Sequence, residues 1–588
     1  MTAKTRAEAD AGGRAPTSVF RELTFIWVTA GLPLTLGAWF ATATLLFPTE
    51  TYFFWTQDLP IFVACIAITA TLRFVPPARL APLAKALEAP AWLWVFGLAG
   101  VCAVAGVVGV WLVFENYTLS LDEFMANFDA RIFAHGELLA PIPPAWRPYA
   151  EALQPIFTLP IPDDAFWASA YLPVNAAMRA AASLIGAQDA LNPLLSALAI
   201  VATYGVGRRL WPGEPRLALI AAVLLGGSSQ LIVTGMTAYA MPAHLAFNMA
   251  WLWLFLRGGR AGHAGAILVG FLATGLHEIV FHPLFVAPFV LQLWLERRWR
   301  LAGLYTAAYA GIGVFWMEWW PLAFHLAGIP TSVSTGAGST FLAQRVAELL
   351  AKLDVDNLAV MSESLVRFVT WQNPLTVPLA LSAVLAAQRA KGAMRSIVWG
   401  IGLTLIVMAC LTPTQVHGWG YRYMHGLLGT TCLLAAWGWG RLTASLAPEL
   451  KAGAAGGLVA ASAISLFVLT PIRAWQAWSF CHPFAEANAL IQHANVDVVL
   501  VDDTGAHAFN AGTLVRNDPL LEHRPKVIAL APLDEDDVAN LCGAYSIALF
   551  DGDKLAQLGG FTLHLRPNPD VVPLRAEMDR LKCGQPIR

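Results

Sequence analysis

Residues 91–123 read AWLWVFGLAGVCAVAGVVGVWLVFENYTLSLDE, an apolar run that passes directly into polar sequence. The apolar part is long enough to cross a bilayer as one helix, which requires about 20 residues. Asp122 and Glu123 then fall in a polar loop that extends from Glu115 to about Ala165. Two carboxylates so close to the end of a predicted span indicate chemistry at a membrane surface.

The composition is typical of a membrane protein. Of the 588 residues, 57% are hydrophobic and 13% are charged, against about 25% charged in an ordinary soluble domain. The 23 tryptophans fit two aromatic belts, one at each membrane interface. The net charge of −2 provides no basic surface for nucleic acid.

The apolar runs predict a polytopic α-helical membrane protein with about thirteen transmembrane helices. The runs lie near residues 24–47, 58–75, 91–114, 190–207, 217–235, 242–256, 263–277, 280–295, 301–320, 371–388, 396–411, 424–440 and 454–470.

Basic residues in the short loops give the orientation, because loops rich in lysine and arginine stay in the cytoplasm. These residues occur in alternate loops, which are all cytoplasmic if the basic N-terminal segment 1–23 is inside. The membrane part is then 24–472, and its loops 115–189 and 321–370 are external. The basic residues are Arg73, Arg79, Lys85, Arg208, Arg209, Arg216, Arg257, Arg260, Arg297, Arg298, Arg300, Arg389, Lys391, Arg395, Arg441 and Lys451.

Residues 473–588 have a different pattern and predict a small α/β domain outside the cytoplasm. Short apolar runs at 498–501, 526–530 and 546–550 are typical of strands, with turns and helix-prone segments between them. No glycine-rich phosphate loop accompanies the strands, so we assign the tail no cofactor.

The tail also contains three cysteines, Cys481, Cys542 and Cys583. Outside the cytoplasm one pair of them can form a disulfide, which leaves one thiol over. Cys542 with Cys583 is a candidate pair, but the sequence alone does not assign it.

The acidic pair precedes a predicted amphipathic helix, 124–137, whose residues Phe124, Phe128 and Phe133 would face lipid. A helix N-terminus favours carboxylates. Asp122 therefore has two interpretations. It is an N-cap residue, or it is a carboxylate that accepts a proton from an attacking hydroxyl or holds a metal ion.

Three ionisable residues, His277, Glu278 and His282, interrupt an apolar stretch, where each costs about 2.5–3.5 kcal/mol near the bilayer centre. They predict either the lining of a substrate cavity or histidines hydrogen-bonded between helices. The pattern is not that of a zinc protease, whose histidines are four residues apart, because five residues place these two about 140° apart on a helix. His244, which follows a Tyr-Ala-Met-Pro turn at 239–242, is a further candidate for the cavity.

Residues 418–425, GWGYRYMH, form a predicted short external turn. Arg422 between Tyr421 and Tyr423 suits a phosphate or diphosphate, because the guanidinium is a planar fork of donors and each phenol adds another. The other interpretation is an interfacial aromatic belt, which explains the tyrosines better than the arginine. His425 in the same segment is another candidate for lining the cavity.

The order of these parts resembles the GT-C superfamily of membrane glycosyltransferases, in the branch related to protein mannosyltransferases and lipid A aminoarabinose transferases. The resemblance covers about residues 91–470 and the external tail. Two predicted spans precede the loop-bearing one, where that branch usually has one. The motifs are the early acidic pair, Tyr171-Leu172-Pro173, a span ending Gly207-Arg208-Arg209-Leu210-Trp211, and the turn at 239–242.

The resemblance implies an inverting transfer of a sugar from a polyprenyl-phosphate donor to a lipid, glycan or protein acceptor. It places the reaction at the outer face of the bacterial inner membrane. Asp122 and Glu123 match the acidic motif of the family, with Asp122 as base or acceptor-orienting group. His277-Glu278 replaces a basic residue that this branch often carries between paired half-helices. The donor-phosphate contacts therefore shift to Arg422 and Arg131, and participation of a divalent metal ion is left open.

Two other classes of protein fit parts of the pattern. A polysaccharide ligase or polymerase with a diphosphate-linked donor would need more basic residues in its external loops. A proton-coupled transporter could use His277, Glu278 and His282 as a relay, but the polar residues gather at one face rather than at the midplane. The identity of the sugar, the acceptor and the oligomeric state are left open by the sequence.

Overall fold

The computed structural model is mostly helical. It describes residues 19–46, 48–153, 156–159, 161–329, 355–390, 392–502, 509, 511–561 and 569–587. The predicted cytoplasmic segment 1–23 and the predicted external loop 321–370 therefore lie partly outside the described residues, at 1–18 and 330–354.

A helix lies on each of the predicted apolar runs. Proline occupies the first turn of several helices, where its missing N–H costs nothing. The α-helices are α1 Val19–Thr44, α2 Pro48–Phe53, α3 Leu59–Phe74, α4 Pro77–Ala84, α5 Ala91–Leu112, α6 Leu121–Ala134, α7 Ala150–Leu153, α8 Val174–Ser183, α9 Leu191–Leu210, α10 Pro215–Gly226, α11 Ser229–Gly235, α12 Met241–Arg257, α13 Gly259–Thr274, α14 Phe281–Leu295, α15 Trp299–Met317, α16 Trp319–Leu326, α17 Val355–Thr370, α18 Thr376–Arg389, α19 Ala393–Leu411, α20 Leu428–Thr443, α21 Pro448–Ile464, α22 Thr470–Gln492, α23 Glu535–Ala544, α24 Gly552–Gln557 and α25 Val571–Leu581.

Among the described residues, 6 helical stretches are long and apolar enough to cross a membrane, and the bent pair α10–α11 makes up to 7. These helices indicate a multi-pass membrane protein. The predicted number of about thirteen spans is not confirmed, because the other helices are shorter or less apolar. The six stretches are Val19–Thr44, Pro48–Phe74, Ala91–Leu112, Gln188–Leu210, Ala393–Leu411 and Pro448–Gln492.

Two of these long stretches contain a π turn beside buried polar groups. The turn Phe54–Asp58 separates α2 from α3, and the turn Ser465–Leu469 separates α21 from α22. Ser465 donates a hydrogen bond to the backbone oxygen of Gly227 at 2.6 Å, at the point where α10 and α11 meet at 55°. A side chain therefore satisfies a backbone group at the bend, as an apolar surrounding requires.

Asp58 is the centre of a buried charged cluster that joins three helical stretches. Its carboxylate accepts hydrogen bonds from Arg367 at 2.8 Å and Arg473 at 3.0 Å. Thr370 and the Trp371 indole donate to it at 3.0 and 3.1 Å. The side chains of Asp58 and both arginines are at most 2% exposed. Charges buried so deeply are tolerated only when they are paired and hydrogen-bonded.

The three predicted strand runs of the tail form strands of one parallel sheet. Its order is β4-β3-β5-β6, and every neighbouring pair is parallel. The preceding helix α22 continues to Gln492, so the change of pattern predicted near residue 473 falls inside a helix. The strands are β3 Val498–Val501, β4 Lys526–Ala529, β5 Ile547–Phe550 and β6 Gln585–Pro586, after the separate antiparallel pair β1 Ala140–Pro141 and β2 Phe166–Trp167.

A disulfide closes this part of the chain. Cys542, in α23, is bonded to Cys583, just before β6. The candidate pairing from the sequence is therefore confirmed, and Cys481 is the thiol left over, buried in α22.

Helix α6 packs on the tail sheet through one apolar stripe. Its residues Met125, Phe128 and Ile132 are buried in one cluster with Leu500 of β3 and Ile528 of β4. The outer-loop helix and the tail therefore form one packed unit.

The prediction that the phenylalanines of this helix face lipid was wrong. Phe128 is 1% exposed, and its ring meets Trp167 edge-on at 5.1 Å. Phe124 lies under the Arg516 guanidinium, 5.2 Å from the ring centre, and Phe133 packs beside small residues of α8. The sheet and α8 cover the apolar side of α6 that we expected lipid to cover.

Asp129 is a buried carboxylate that links α6 to the strand region of the same loop. It is 2% exposed, and its Oδ1 accepts a hydrogen bond from the Ser169 backbone N–H at 2.9 Å. Burial raises the pKa of this carboxyl from 3.8 to about 7, although the bonds from Ser169 act in the opposite direction.

A single substitution in the buried cluster around Asp58 should strongly lower the stability of the protein. Asp58→Asn removes the one carboxylate that is paired with both Arg367 and Arg473, so we expect about 3–5 kcal/mol of destabilisation. Thermal unfolding of the purified protein in detergent measures the loss, with exposed Asp536→Asn as the control. An unchanged unfolding temperature for Asp58→Asn would contradict the role of this cluster.

The raised pKa of Asp129 predicts a pH effect on stability. The unfolded carboxyl ionises near pH 3.8 and the folded one near pH 7, so folding stability falls as pH rises between these values and is level above them. Asp129→Asn keeps an acceptor for Ser169 and removes the titration. The wild type should therefore lose up to about 4 kcal/mol relative to the variant across this window.

Unfolding temperatures measured from pH 4 to 8 test this prediction. Exposed Asp163→Asn, in the same loop, serves as the control and should follow the wild type. Parallel curves for wild type and Asp129→Asn would show that Asp129 does not titrate in this window.

Candidate active site

The first turn of α6 gives Asp122 and Glu123 different surroundings. Ser120 is the N-cap, and its hydroxyl accepts from the Glu123 N–H at 3.3 Å. The Glu123 carboxylate in turn accepts from the Ser120 N–H and hydroxyl at 3.2 and 3.0 Å, and from the Ala238 N–H at 3.2 Å. This is a capping box. The predicted helix start at Phe124 and the N-cap interpretation of Asp122 were both wrong.

Asp122 is left free to bind side chains from other parts of the chain. Arg422 donates to its Oδ2 through Nη1, and the Tyr171 hydroxyl donates to its Oδ1. The Asp122 and Arg422 side chains are 10% and 16% exposed. Burial would raise the pKa of Asp122, but Arg422, His277 and the hydrogen bonds from Tyr171 and Arg422 outweigh it and lower the pKa. Asp122 is therefore ionised at neutral pH.

The pKa of Glu123 is shifted in the opposite direction to that of Asp122. Burial raises the pKa of its carboxyl above the usual value, although the hydrogen bonds from Ser120 and Ala238 oppose the shift. Its oxygens are occupied by the helix cap and by the turn at Ala238. The two members of the acidic pair are therefore not equivalent, and Glu123 is the structural one.

His277 lies beside this pair, in the loop between α13 and α14. Its ring stacks on Tyr171 with the centres 4.1 Å apart, and its backbone oxygen accepts from Leu172 at 3.0 Å. Both ring nitrogens are buried without a partner among the described residues. Burial lowers the pKa of His277, although Glu278 and Asp122 oppose the shift, so the neutral ring can donate from one nitrogen and accept at the other.

The loop that carries Arg422 is held by amides and a second arginine. Gln415 accepts from the Arg422 N–H at 2.7 Å and donates to the Gly420 oxygen at 2.8 Å. Gln230 donates to the Tyr421 oxygen at 2.8 Å, and Arg367 of the Asp58 cluster donates to the Gly418 oxygen at 2.7 Å. These residues position the guanidinium without touching it.

Aromatic rings complete the surroundings of Arg422. Its guanidinium carbon is 5.2 Å from the ring centre of Tyr423 and 5.9 Å from that of Tyr239, distances at which a ring attracts a cation. Arg422 Nε and the Tyr421 hydroxyl are buried without partners among the described residues. Unused donors next to a fixed positive charge are suited to an anionic oxygen.

A cavity of about 20 Å³ lies beside Arg422, which is room for about one water molecule. His244, Asn248, Phe281, Arg422 and Tyr423 are among its lining residues. Both ring nitrogens of His244 are buried without a partner among the described residues. His244 therefore lies at the same small cavity as Arg422.

The other predicted cavity residues, His282, His425 and Glu278, have different surroundings. His282 is hydrogen-bonded to Asn248 at 2.7 Å and to Tyr309 at 2.8 Å. It therefore fits the alternative interpretation, a histidine hydrogen-bonded between helices. His425 contacts Gln230 at 3.4 Å, and Glu278 is exposed.

Arg131 does not join Arg422. It lies nine residues after Asp122 on α6, which is about 14 Å along the helix and about 180° around it. Its exposed side chain lines a different cavity, which Arg422 and Asp122 do not line. The expectation that both arginines bind one phosphate was wrong.

Some residues of this cluster were not among the sequence predictions of the site. Tyr171 was part of a quoted motif but was given no role, whereas Gln415, Gln230 and Arg367 left no recognisable signal in the sequence. Within the described residues, no group of three His, Cys, Asp or Glu side chains could hold a metal ion.

Comparisons with known proteins add little to this picture. No protein-family model matches the chain, and no curated protein matches it. One similar solved structure is described as the crystal structure of ArnT from Cupriavidus metallidurans bound to undecaprenyl phosphate. The similarity has 14% sequence identity and a TM-score of 0.46, and it covers 73% of this chain and 86% of ArnT. A likeness this weak carries no argument, so the function has to follow from the residues of this chain.

Proposed function

We propose that this protein is a membrane glycosyltransferase that moves a sugar from a polyprenyl-phosphate donor to a lipid, glycan or protein acceptor. The observation that carries the proposal is the half-buried pair of Asp122 and Arg422, oriented by Tyr171 and bordered by the unpartnered rings of His244 and His277. Such a site has a carboxylate that can bind a nucleophile and a cation that can bind a leaving group. The two charged groups are hydrogen-bonded to each other.

Asp122 is suited to receive a hydroxyl proton. Its lowered pKa makes it a weak base toward a free hydroxyl. It can still orient the acceptor hydroxyl and take the proton as the new bond to the anomeric carbon forms, because the proton becomes acidic at that stage. The nucleophile attacks from the face opposite the phosphate, so the transfer inverts the configuration.

Arg422 is suited to the departing phosphate. As the anomeric C–O bond breaks, negative charge accumulates on the lipid phosphate, and a positioned guanidinium stabilises it. Tyr423 flanks this guanidinium, and Tyr421 adds an unpartnered hydroxyl nearby. A donor phosphate must compete with Asp122 for Arg422, and this competition would free a carboxylate oxygen for the acceptor. The cavity of about 20 Å³ requires side chains to move before a sugar can enter.

The loop charges support an external site, because loops rich in lysine and arginine stay in the cytoplasm. The resemblance to the GT-C superfamily implies the bacterial inner membrane, so that the site would face the periplasm. The N-terminus is then cytoplasmic, and residues 473–588 form a periplasmic domain. The membrane would hold the polyprenyl chain of the donor beside the helices.

A proton-coupled transporter is the second candidate, because the bend between α10 and α11 lies beside buried polar groups, as in carriers with broken helices. The Asp58 carboxylate is already occupied by four donors, and His282 is not joined to His277. Substrate accumulation in sealed vesicles without a covalent product would favour the transporter. Among the residues that the structure describes, no feature favours a ligase or polymerase with a diphosphate-linked donor.

Asp122→Asn should lower sugar transfer by at least about 100-fold, because the amide cannot take a proton. Transfer is measured in membranes supplied with a polyprenyl-phosphate sugar, with protein quantified separately. Asp163→Asn is the matched control, since Asp163 is exposed in the same loop and has a φ of 60°, which asparagine tolerates. Transfer at the wild-type level by Asp122→Asn would exclude the catalytic role.

Arg422→Ala should weaken donor binding about 10- to 100-fold and acceptor binding less, because a charge-assisted hydrogen bond is lost. Without Arg422, Asp122 loses the largest of the influences that lower its pKa, so its pKa rises. Residual activity should therefore decline at a higher pH on the acid side than in the wild type. Arg524→Ala, at a side chain 77% exposed, is the control. Unchanged donor affinity together with an unchanged pH profile would contradict the role of Arg422.

A further inference from the structure

A second cavity lies on another side of α6. It has a volume of about 190 Å³ and is bounded by the end of α5, α6, α8, the start of α9 and the turn after α11. Glu123, Asn127 and Arg131 line it from α6. These residues are four apart and therefore share one side of the helix.

This cavity contains a buried polar group that lacks a partner. Tyr117 and Asn192 both line the cavity. Asn192 Oδ1 has no hydrogen-bond partner among the described residues, whereas the Tyr117 hydroxyl interacts with Arg516. Tyr117 is 7% exposed and Asn192 is 1% exposed. Buried polar groups are almost always satisfied, so Asn192 Oδ1 indicates a ligand that donates a hydrogen bond.

The remaining polar lining is ordered and balanced in charge. Arg179 and Gln188 both donate to Asn127 Oδ1, at 2.6 and 2.8 Å. Arg131 and Arg179 are opposed by Glu123 and Asp189 on the same walls. A lining of both signs does not select a simple anion or cation. It is suited to hydroxyl groups, which donate to carboxylates and amide oxygens and accept from guanidinium groups.

The volume of the cavity limits the size of the ligand that it can hold. Pockets for drug-sized ligands have about 300–1,000 Å³, so about 190 Å³ is room for one small ring. A single sugar ring fulfils both requirements, since it is compact and carries hydroxyls on several sides.

We propose that this cavity binds one sugar ring, and that the ring belongs to the acceptor of the transfer. The role as acceptor site rests on the proposed function, whereas the binding of a sugar does not. Glu123 is adjacent in sequence to Asp122, and it is bonded to Ala238, next to the Tyr239 ring that flanks Arg422. The cavity and the Asp122–Arg422 pair therefore share the first turn of α6 and the turn at Ala238.

The test uses the full chain, purified in a detergent without a sugar head group. Saturation-transfer NMR measures binding of the methyl glycosides of glucose, galactose and mannose, with tetrahydropyran-2-methanol as a ring that lacks the other hydroxyls. We expect at least one glycoside to bind and the tetrahydropyran not to bind. Absence of binding for all three glycosides would overturn the proposal.

Two variants locate the binding. Tyr117→Phe removes the hydroxyl and keeps the ring on which the Arg516 guanidinium rests at 4.4 Å. We expect Tyr117→Phe and Arg131→Ala to weaken glycoside binding about tenfold each. The controls are Tyr545→Phe and Arg580→Ala, which change residues outside the cavity. Equal binding by all variants would place the sugar elsewhere and overturn the proposal.

Competition separates the acceptor sugar from the donor sugar. A polyprenyl-phosphate sugar should leave the bound glycoside in place. Its displacement by that donor, but not by polyprenyl phosphate alone, would overturn the assignment to the acceptor. Asp122→Asn should still bind the glycoside, so a failure of the catalytic proposal and a failure of this one give different results.

Discussion

The structure depends on the rule that a charge inside an apolar helix bundle must be balanced where it lies. Asp58 fulfils the rule with four donors from elsewhere in the chain, two of them arginines. Arg367 then uses its remaining Nε–H to hold the Gly418 oxygen, in the loop that leads to Arg422. The ion pairs of Asp58, which stabilise charges inside the bundle, therefore also fix the backbone next to the candidate site. A defect at Asp58 would affect stability first and the Arg422 loop second.

The Asp122–Arg422 pair joins parts of the chain 300 residues apart. Its charges are partly exposed, in contrast to those around Asp58. A buried pair serves packing, but a pair at 10–16% exposure beside unpartnered histidines can be opened by a ligand of either sign. This difference in exposure is why we assign function to one pair and structure to the other.

The sequence predicted the helices well because apolar runs of this length have few alternatives to a helix in lipid. It also predicted the strands of the tail and the candidate disulfide, since alternation and cysteine number are local signals. The helix cap at Ser120 was readable as Ser-Leu-Asp-Glu but was missed, and an N-cap role was considered for Asp122 instead. The partners of Asp58 and the support from Gln230 could not be predicted, because single polar residues in apolar runs carry no information about residues far away in sequence.

The position of Arg131 could have been judged from periodicity alone, and the same periodicity explains how α6 is used. With Asp122 set at 0°, Glu123, Asn127 and Arg131 lie at about 100–180°, and Met125, Phe128 and Ile132 at about 240–300°. The side of the helix that carries Asp122 contacts Arg422. The side with Glu123, Asn127 and Arg131 lines the polar cavity. The side with Met125, Phe128 and Ile132 is buried in the apolar cluster that includes the tail sheet. Because the buried stripe sets the rotation of the helix, the apolar cluster that it shares with the sheet constrains where both polar sides point. The tail therefore influences the chemistry through packing, although we assign it no cofactor and no catalytic residue.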